Sequence, residues 1–320
     1  MNAAQNEIIS NLKKWAEKNK DVDCVICAGS SGNKNKIADD LSDLDVVIYA
    51  RRKNYYDEHH EWLSELGDVA YYYQEPTDVI GVWHILKIYF SNGVRVDLFF
   101  WKISKMKLGY HYVLLKEKTI LFSVLPGIVS KIIEAQFRFF TKYVSRGFIT
   151  INDKVGLSPK LAYMEQHCKY RQDPFSLKKF QYTISRFWSH ALTTAIYIYR
   201  GELMCSKTVG DRIMKQHLLQ VIEMYVKLDK GRDYDIFENG RYLEQWAPDF
   251  ITSRLEDIYG LYEQEDAWRS LRETVNLFSL ILERVRVEFP ELKFSNPEQH
   301  FRKQLQNIQP ALWSTPQTID

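Results

Sequence analysis

A glycine and a serine at the end of a short apolar segment are the feature that most constrains the fold of this chain. Residues 24–28 (Cys-Val-Ile-Cys-Ala) are apolar throughout, as a buried strand is, and they lead directly into Gly29 and Ser30. Glycine lets backbone N–H groups come close to an anion, and the serine hydroxyl adds one more donor. This end of the strand is therefore predicted to bind phosphate.

Two aspartates mark the start of the next strand. After a polar loop the chain returns to apolar residues at positions 44–50, with Asp43 just before this strand and Asp45 within it. Because successive side chains of a strand point to opposite faces, residues two apart share a face. Asp43 and Asp45 are thus predicted to present paired carboxylates beside the phosphate-binding turn, which suggests a site for a metal–nucleotide complex.

A third aspartate lies in an apolar hairpin. Residues 83–90 and 94–101 read as strands joined by Ser91-Asn92-Gly93, and Asn-Gly favours a tight hairpin turn. Asp97 sits among apolar residues of the second strand, where an unpaired carboxylate is costly. Carboxylates about 4 Å apart repel by roughly 4 kcal/mol at an effective dielectric constant near 20. The three aspartates are therefore predicted to share one or two Mg²⁺ ions, since hard oxygen ligands beside phosphate favour that ion.

These motifs resemble the polymerase-β-type nucleotidyltransferase superfamily, and within it the aminoglycoside 6-adenylyltransferases, the streptomycin-modifying branch. The segments that carry the resemblance further along the chain are Asn33-Lys34-Asn35 with Asp39-Asp40, residues 92–98 and 112–118, Phe187-Trp188, residues 200–203 and Phe289-Pro290-Glu291. Two positions depart from the family's pattern. Ser31 stands where an arginine is expected, and the acidic residue expected shortly before Phe187 is missing.

The resemblance implies a reaction in which ATP, with Mg²⁺, gives AMP to a hydroxyl of an aminoglycoside such as streptomycin, with antibiotic resistance as the result. Gly29 and Ser30 would bind the nucleotide, with Ser30 on the β- or γ-phosphate. Asp43 and Asp45 would hold the metal ions. Asp97 would share one metal and approach the attacking hydroxyl, so that all three aspartates are candidate catalytic residues and metal ligands.

A second group of candidate nucleotide-binding residues, Arg200, Glu202 and Lys207, lies at and just after the end of a long predicted helix. In the family that the chain resembles, this end lies near the nucleotide cleft, where a basic residue would meet the charge of the triphosphate. A general base is also needed to take the proton of the acceptor hydroxyl. Glu165, Asp173 and Glu202 are candidates, as is the third aspartate of the metal site, and the sequence leaves this choice open.

The sequence identifies the acceptor substrate less closely than it identifies the nucleotide. An aminoglycoside is polycationic, so its site is expected to be acidic. Two clusters offer such a surface: Asp233, Asp235 and Glu238, or Glu263, Glu265 and Asp266. A nucleotidyltransferase acting on a lincosamide or another small molecule is an alternative interpretation, as is a non-catalytic, antitoxin-like nucleotide-binding module.

Composition narrows the class of protein. The 320 residues carry a net charge of +2 with both signs interspersed, whereas proteins that bind duplexes concentrate basic residues on one surface. No apolar stretch approaches the roughly 20 residues of a membrane span, and residues 1–20 do not read as a signal peptide. Four cysteines are too few for a disulfide framework. These patterns predict a cytoplasmic protein without a nucleic-acid or membrane partner, and the resemblance to the family implies an enzyme whose partners are ATP and a small-molecule substrate.

The predicted fold is α+β. Together with the resemblance, the pattern of elements implies a polymerase-β-like nucleotidyltransferase domain with a mixed sheet and helices over residues 1–126. Residues 127–320 are expected to form an all-α helical-bundle domain that binds substrate, since everything after residue 127 reads as helical. Helices are predicted over residues 2–18, 55–66, 128–143, 174–200, 209–227, 240–246, 251–259 and 265–289, and strands over residues 22–28, 44–50, 69–73, 83–90 and 94–101. Asp173 is the predicted cap of the long helix that begins at Pro174.

Overall fold

The structure is a computed structural model of the chain, and it describes residues 1–32, 39–77, 84–118, 147–167, 175–231, 234, 236 and 238–313. The predicted helix over residues 128–143 and the predicted cap at Asp173 lie outside these residues. Contacts divide the chain into two compact units, Met1–Tyr170 and Arg171–Asp320.

The first unit combines one sheet with helices. Its helices are α1 (Ala3–Lys18), α2 (Gly29–Gly32), α3 (Lys53–Glu58), α4 (Ile103–Lys118) and α5 (Ser158–His167). Its strands are β1 (Val22–Ala28), β2 (Leu44–Ala50), β3 (Val69–Pro76), β4 (His84–Phe90), β5 (Arg95–Trp101) and β6 (Ile149–Asp153). The five predicted strands are thereby confirmed, with β3 reaching further than predicted.

The sheet has six strands in the order β3-β4-β5-β2-β1-β6. Strands β2 and β5 run parallel, whereas every other neighbouring pair is antiparallel. The β4–β5 hairpin forms where Asn92-Gly93 predicts it, and Gly93 has a φ of +84°, which glycine adopts readily. A mixed sheet with flanking helices confirms the predicted α+β class.

Each face of the sheet has its own core. On one face, α1 packs through Trp15, whose ring stacks on Trp62 with centroids 4.5 Å apart. On the other face, Tyr49 and Trp101 pack with residues of α4 and α5, including Leu161. Asp45 and Asp97 lie on this second face but outside its core, and both are half-buried. The fold thus leaves these carboxylates at the border of a packed layer.

The single helix predicted over residues 55–66 is wrong. The chain instead forms α3, breaks at His59, which is extended, and continues as a 3₁₀ helix over Glu61–Glu65. Residues 56 and 62 would point in different directions on one α-helix, because six residues turn it by about 600°. The break lets Tyr56 and Trp62 both contact Phe100, with centroids 5.1 and 5.8 Å away.

The expectation that everything after residue 127 is helical is also wrong. Strand β6 pairs antiparallel with β1, with Cys24 opposite Asp153 and Cys27 opposite Ile149. Residues 147–167 therefore belong to the first unit. The predicted domain boundary at residue 126 lies outside the described residues.

All secondary structure described in the second unit is helical. The elements are α6 (Leu177–Tyr199), α7 (Leu203–Lys207), a π-helix (Thr208–Met214), α8 (Lys215–Lys230), a 3₁₀ turn (Glu238–Gly240), α9 (Leu243–Trp246), α10 (Asp249–Thr252), α11 (Gln264–Glu288), α12 (Glu298–Ile308) and α13 (Pro310–Trp313). The core joins α6 to α11, where Phe187 and Phe278 stack with centroids 3.5 Å apart. No helix within the described ranges is both long and apolar enough to cross a membrane.

Among the helix boundaries of this unit that differ from prediction, two have hydrogen bonds that account for them. Helix α6 begins at Leu177 and is capped by Ser176, whose side chain accepts from the backbone N–H of Lys179. The helix predicted over residues 251–259 ends at Thr252, because carbonyls of the following segment bond to α11 instead. Arg269 donates to the carbonyls of residues 257 and 259, and Ser270 Oγ donates to the carbonyl of residue 258.

Candidate active site

One continuous row of register partners crosses the sheet at the candidate site. Asp45 of β2 is the direct partner of Asp97 on β5, and Asp97 is the partner of Lys87 on β4. The row continues to Tyr73 on β3 in one direction and to Ala28 on β1 in the other. Register partners on neighbouring strands share a face, so the structure brings Asp45 and Asp97 together on one surface.

Gly29 makes room for the carboxylate of Asp45. The glycine follows β1 directly, has a φ of +65° and would place a Cβ only 2.7 Å from Asp45 Cγ. Any side chain at this position would therefore collide with the aspartate as well as strain the backbone. The sequence predicted a close backbone approach at Gly29, and the group that approaches it here is a carboxylate.

Asp43 is placed by contacts of the loop that precedes it. Gln5 Nε2, on a buried side chain of α1, donates to the carbonyl of Ser42 at 2.8 Å. Arg95 donates to the carbonyl of Leu41 at 2.5 Å. These bonds anchor the chain from α1 and from β5 just before Asp43, which is half-buried like Asp45.

Asp97 has a cationic neighbour. Lys87 Nζ lies 2.5 Å from Asp97 Oδ2 and 3.4 Å from Glu75 Oε2, with 22% of the lysine side chain exposed and 48% of the glutamate side chain. Burial raises the pKa of Asp97, the bond from Lys87 opposes that rise, and the charge of Asp43 adds to it, leaving the pKa above its usual value. Burial lowers the pKa of Lys87, but its two carboxylate partners raise it more, so the pKa lies above its usual range.

The donor chemistry of this surface suits a hard cation. Asp43, Asp45 and Asp97 supply carboxylate oxygens, which hard cations prefer, and burial, with a smaller contribution from the charge of Asp43, raises the pKa of Asp97. In the described part of the chain, no group of three or more His, Cys, Asp or Glu side chains is arranged so that it could hold a metal ion. Metal binding by the three aspartates therefore stays a prediction. Lys87 has two carboxylate partners, so it would still pair with Glu75 if a metal ion displaced it from Asp97.

The remaining predicted nucleotide ligands lie in two places. Ser30 is part of α2, next to Gly29, and its side chain lies outside what the structure describes. Arg200, Glu202 and Lys207 belong to the second unit, where Arg200 caps the end of α6 and Glu202 precedes α7. Both are exposed.

Lys207 already has partners within its own unit. Its Nζ donates to the carbonyl of Gly260 at 2.5 Å and lies 2.9 Å from Asp211 Oδ2. Asp211 also pairs with the buried Lys215. The structure therefore gives Lys207 a role in holding the loop at Gly260, and its contact with nucleotide stays a prediction.

The other acidic candidates are not resolved into an acceptor site. Asp173, Asp233 and Asp235 lie outside the described residues. Asp266 accepts from the backbone N–H of Leu261 and pairs with Arg269, each at 2.5 Å, so that bonds within its own unit engage it.

Sequence reasoning missed Lys87 and Glu75. Counting outward from Asn92 along both strands of the hairpin pairs residue 87 with residue 97, which is the register observed. The alternation of Leu86, Lys87 and Ile88 also places the lysine on the face opposite the apolar pair. The signal was therefore present in the hairpin, but it required combining the turn with the strand register.

A family model shows which family the chain belongs to, and several known proteins resemble the chain. A family model described as streptomycin adenylyltransferase matches residues 3–308. The aminoglycoside 6-adenylyltransferase of Staphylococcus aureus is 19% identical over 280 residues, covering 86% of this chain and 88% of that protein. The same-named protein of Campylobacter jejuni is 20% identical over 284 residues, covering 86% and 85%. The crystal structure of an aminoglycoside 6-adenyltransferase from Bacillus subtilis aligns with a TM-score of 0.42 at 15% identity, covering 96% of this chain and 99% of that one.

Proposed function

Because the chain belongs to the streptomycin adenylyltransferase family, we propose that it transfers AMP from ATP to a hydroxyl of an aminoglycoside, with streptomycin as the first acceptor to test. The chain is an enzyme of the nucleotidyltransferase class. Beyond this enzyme class, the proposal specifies ATP as the donor, an aminoglycoside as the acceptor and a requirement for Mg²⁺. Since ATP is a cellular nucleotide, the proposal includes the cytoplasmic location predicted from the sequence.

The observation that carries this proposal is the direct pairing of Asp45 with Asp97 on one face of the sheet, where the absence of a side chain at Gly29 leaves room for the Asp45 carboxylate. Two carboxylates in register, with a third close enough to raise the pKa of Asp97, concentrate negative charge at one place. Structural ion pairs do not require such an excess of carboxylates. A site that binds the metal complex of a nucleotide does.

In the proposed reaction, the acceptor oxygen forms a bond to the α-phosphorus of ATP as the bond to the β-phosphate oxygen breaks and pyrophosphate leaves. Asp43, Asp45 and Asp97 would hold Mg²⁺, which would neutralise phosphate charge. Gly29 and Ser30 would receive the leaving phosphates through backbone N–H groups and the serine hydroxyl. Asp97, which the resemblance to the family places near the attacking hydroxyl, would accept the proton of that hydroxyl.

Arg200 and Glu202 complete the proposal as further nucleotide-binding residues, together with Lys207 if its ammonium leaves the carbonyl of Gly260. These residues are carried over from the resemblance to the family.

The decisive experiment is incubation of the protein with Mg²⁺ and ATP in the presence of a panel of aminoglycosides and lincosamides. Mass spectrometry would then detect the gain of one AMP on a drug. We expect streptomycin or a related aminoglycoside to be modified, and expect EDTA to abolish the reaction. Modification of a lincosamide alone would replace the acceptor class, and no modified drug across the panel would contradict the proposal.

A further inference from the structure

Three tyrosines form an exposed aromatic surface on the two strands at the β3 end of the sheet. Tyr71 and Tyr73 of β3 and Tyr89 of β4 have ring centroids 6.0 to 6.4 Å apart. Their exposed fractions are 62%, 38% and 36%, so that all three rings are accessible to solvent. We call Tyr71, Tyr73 and Tyr89 the tyrosine surface.

The tyrosine surface lies on the same face of the sheet as the candidate active site. Tyr73 is the register partner of Lys87, and Lys87 is the register partner of Asp97. Tyr71 pairs with Tyr89 in the next row on that face. The aromatic surface is therefore separated from Asp97 by one strand and is continuous with the proposed site.

The in-line geometry of the proposed reaction indicates which of the two substrates would lie beside the tyrosine surface. The attacking hydroxyl and the leaving pyrophosphate lie on opposite sides of the α-phosphorus. If pyrophosphate leaves toward Gly29 at the β1 side of the row, the hydroxyl arrives from the β4 and β3 side, beyond Asp97. We infer that the tyrosine surface, together with Glu75, binds the acceptor, a cationic glycoside. This inference rests on the proposed function.

The chemistry of the surface fits that class of acceptor. The faces of tyrosine rings pack against the C–H faces of sugar rings and attract ammonium and guanidinium groups. Glu75 is half-exposed, and one ammonium, that of Lys87, is shared between Glu75 and Asp97. The surface therefore presents a solvent-accessible carboxylate, that of Glu75, beside aromatic rings that attract cations. An anionic or purely apolar acceptor would not be favoured by this pairing.

The test compares variants of the tyrosine surface in steady-state kinetics. In the double variant Tyr71→Ser with Tyr73→Ser, we expect the KM for streptomycin to rise about tenfold, as loss of two aromatic contacts predicts. The KM for ATP should stay within about twofold. Glu75→Gln should also raise the streptomycin KM, and this effect should shrink at high salt because screening weakens charge attraction.

Tyr72 supplies a matched control. It lies between the two substituted tyrosines and is 43% exposed, but it pairs with Ile88 and packs near His60 on the opposite face. Tyr72→Ser should therefore leave both KM values unchanged. An equal loss in this control, or an unchanged streptomycin KM in the double variant, would overturn the inference while leaving the proposed transferase activity intact.

Calorimetric titration with streptomycin in the absence of ATP separates the two proposals. If the wild-type protein modifies no drug but binds streptomycin, and the double variant binds it about tenfold more weakly, the acceptor surface is supported and the proposed reaction is wrong. If the wild-type protein does not bind streptomycin at all, the acceptor surface is overturned. A Mg²⁺–ATP titration of the same protein then reports separately on the nucleotide half of the site.

Discussion

Lys87 Nζ lies 2.5 Å from Asp97 Oδ2, and this ion pair sits at the centre of the row that carries the candidate site. Both side chains are about four-fifths buried. An uncompensated, largely buried carboxylate is costly, and here the compensating group is a lysine that a metal ion would have to displace. If Asp97 binds a metal ion as proposed, that ion and the ammonium of Lys87 would compete for the same carboxylate.

The ion pair leads to a prediction about stability. We expect Lys87→Met to lower the free energy of unfolding by about 1–2 kcal/mol, because Asp97 loses its partner. Added Mg²⁺ should then raise the Tm of the variant more than that of the wild-type protein, since the metal no longer competes with an ammonium. Lys18→Met removes a surface pair with Glu65 at 3.4 Å and should change stability by no more than about 0.5 kcal/mol. Equal Mg²⁺ responses in Lys87→Met and wild type would count against this account.

The aspartate pair leads to a prediction about activity. Asp45→Asn and Asp97→Asn keep the shape of the side chain but remove its charge, so transfer of label from ATP should fall by a factor of about 10³ or more. Circular dichroism should show an unchanged fold. Asp68→Asn, at an exposed carboxylate in the turn before β3, should retain full activity. Activity close to wild type in both site variants would remove the basis of the proposed function.

Substitution of Gly29 leads to a prediction that substitution of a second glycine with positive φ can control. Gly29→Ala adds a Cβ where Asp45 stands and imposes alanine on a φ of +65°. We expect a loss of about 1–3 kcal/mol in unfolding free energy together with loss of transfer activity. Gly93→Ala meets no atom within 4 Å at a φ of +84°, so it tests the backbone strain alone and should retain activity. If both variants behaved alike, the collision with Asp45 would not be the cause.

The two candidate nucleotide-binding cations, Arg200 and Lys207, should respond differently to substitution. Arg200 is exposed, so Arg200→Gln should leave the Tm unchanged and raise the KM for ATP severalfold if this residue meets the triphosphate. Lys207→Met removes the bond to Gly260 and the pair with Asp211, and should lower the Tm. A stable Lys207→Met protein with weakened ATP binding would instead favour the role predicted from the sequence.

Asp153 should make stability depend on pH. Its carboxylate accepts from the backbone N–H groups of Val155, Leu157 and Ser158 at 3.2, 3.0 and 2.7 Å, just before α5. Burial raises the pKa of Asp153, but these hydrogen bonds lower it more, so the pKa lies below its usual value. A lowered carboxyl pKa contributes stability above the unfolded value of about 3.9, and that stability disappears as the pH falls through the folded pKa.

Urea unfolding of Asp153→Asn measures this contribution. The variant should lose about 1 kcal/mol relative to wild type at pH 7, in the range seen for helix caps. The difference should narrow below about pH 4, where the wild-type carboxylate also becomes protonated. A difference that stayed constant down to pH 3 would assign the effect to packing rather than charge.

Local patterns predicted the sheet and the position of the aspartates well. The apolar runs predicted the bounds of β1, β2 and β5 to within one residue. The alternation of Val96, Asp97 and Leu98 correctly predicted that Asp97 lies on the opposite face of the sheet from its two apolar neighbours. What alternation cannot supply is the neighbour of each strand. The parallel pairing of β2 with β5, which sets Asp45 beside Asp97, depends on tertiary packing.

The errors have a common physical origin. The break at His59, the early end of the helix at Thr252 and the strand at Ile149–Asp153 all depend on partners far away in the chain. Helical propensity over residues 55–66 is real, but packing of Tyr56 and Trp62 against one sheet outweighs it. Likewise, Ile149–Asp153 is too short to be identified by its own periodicity and becomes a strand because β1 offers it a partner.

Strand β6 makes β1 an interior strand of the sheet. A fragment that stopped at residue 126 would still contain all three aspartates, yet it would leave one side of β1 without hydrogen-bonding partners. Open strand edges promote pairing between molecules, so such a fragment is expected to aggregate for reasons unrelated to its chemistry. A fragment extended to Tyr170 contains the whole first unit and keeps β6, so that this edge of β1 stays paired.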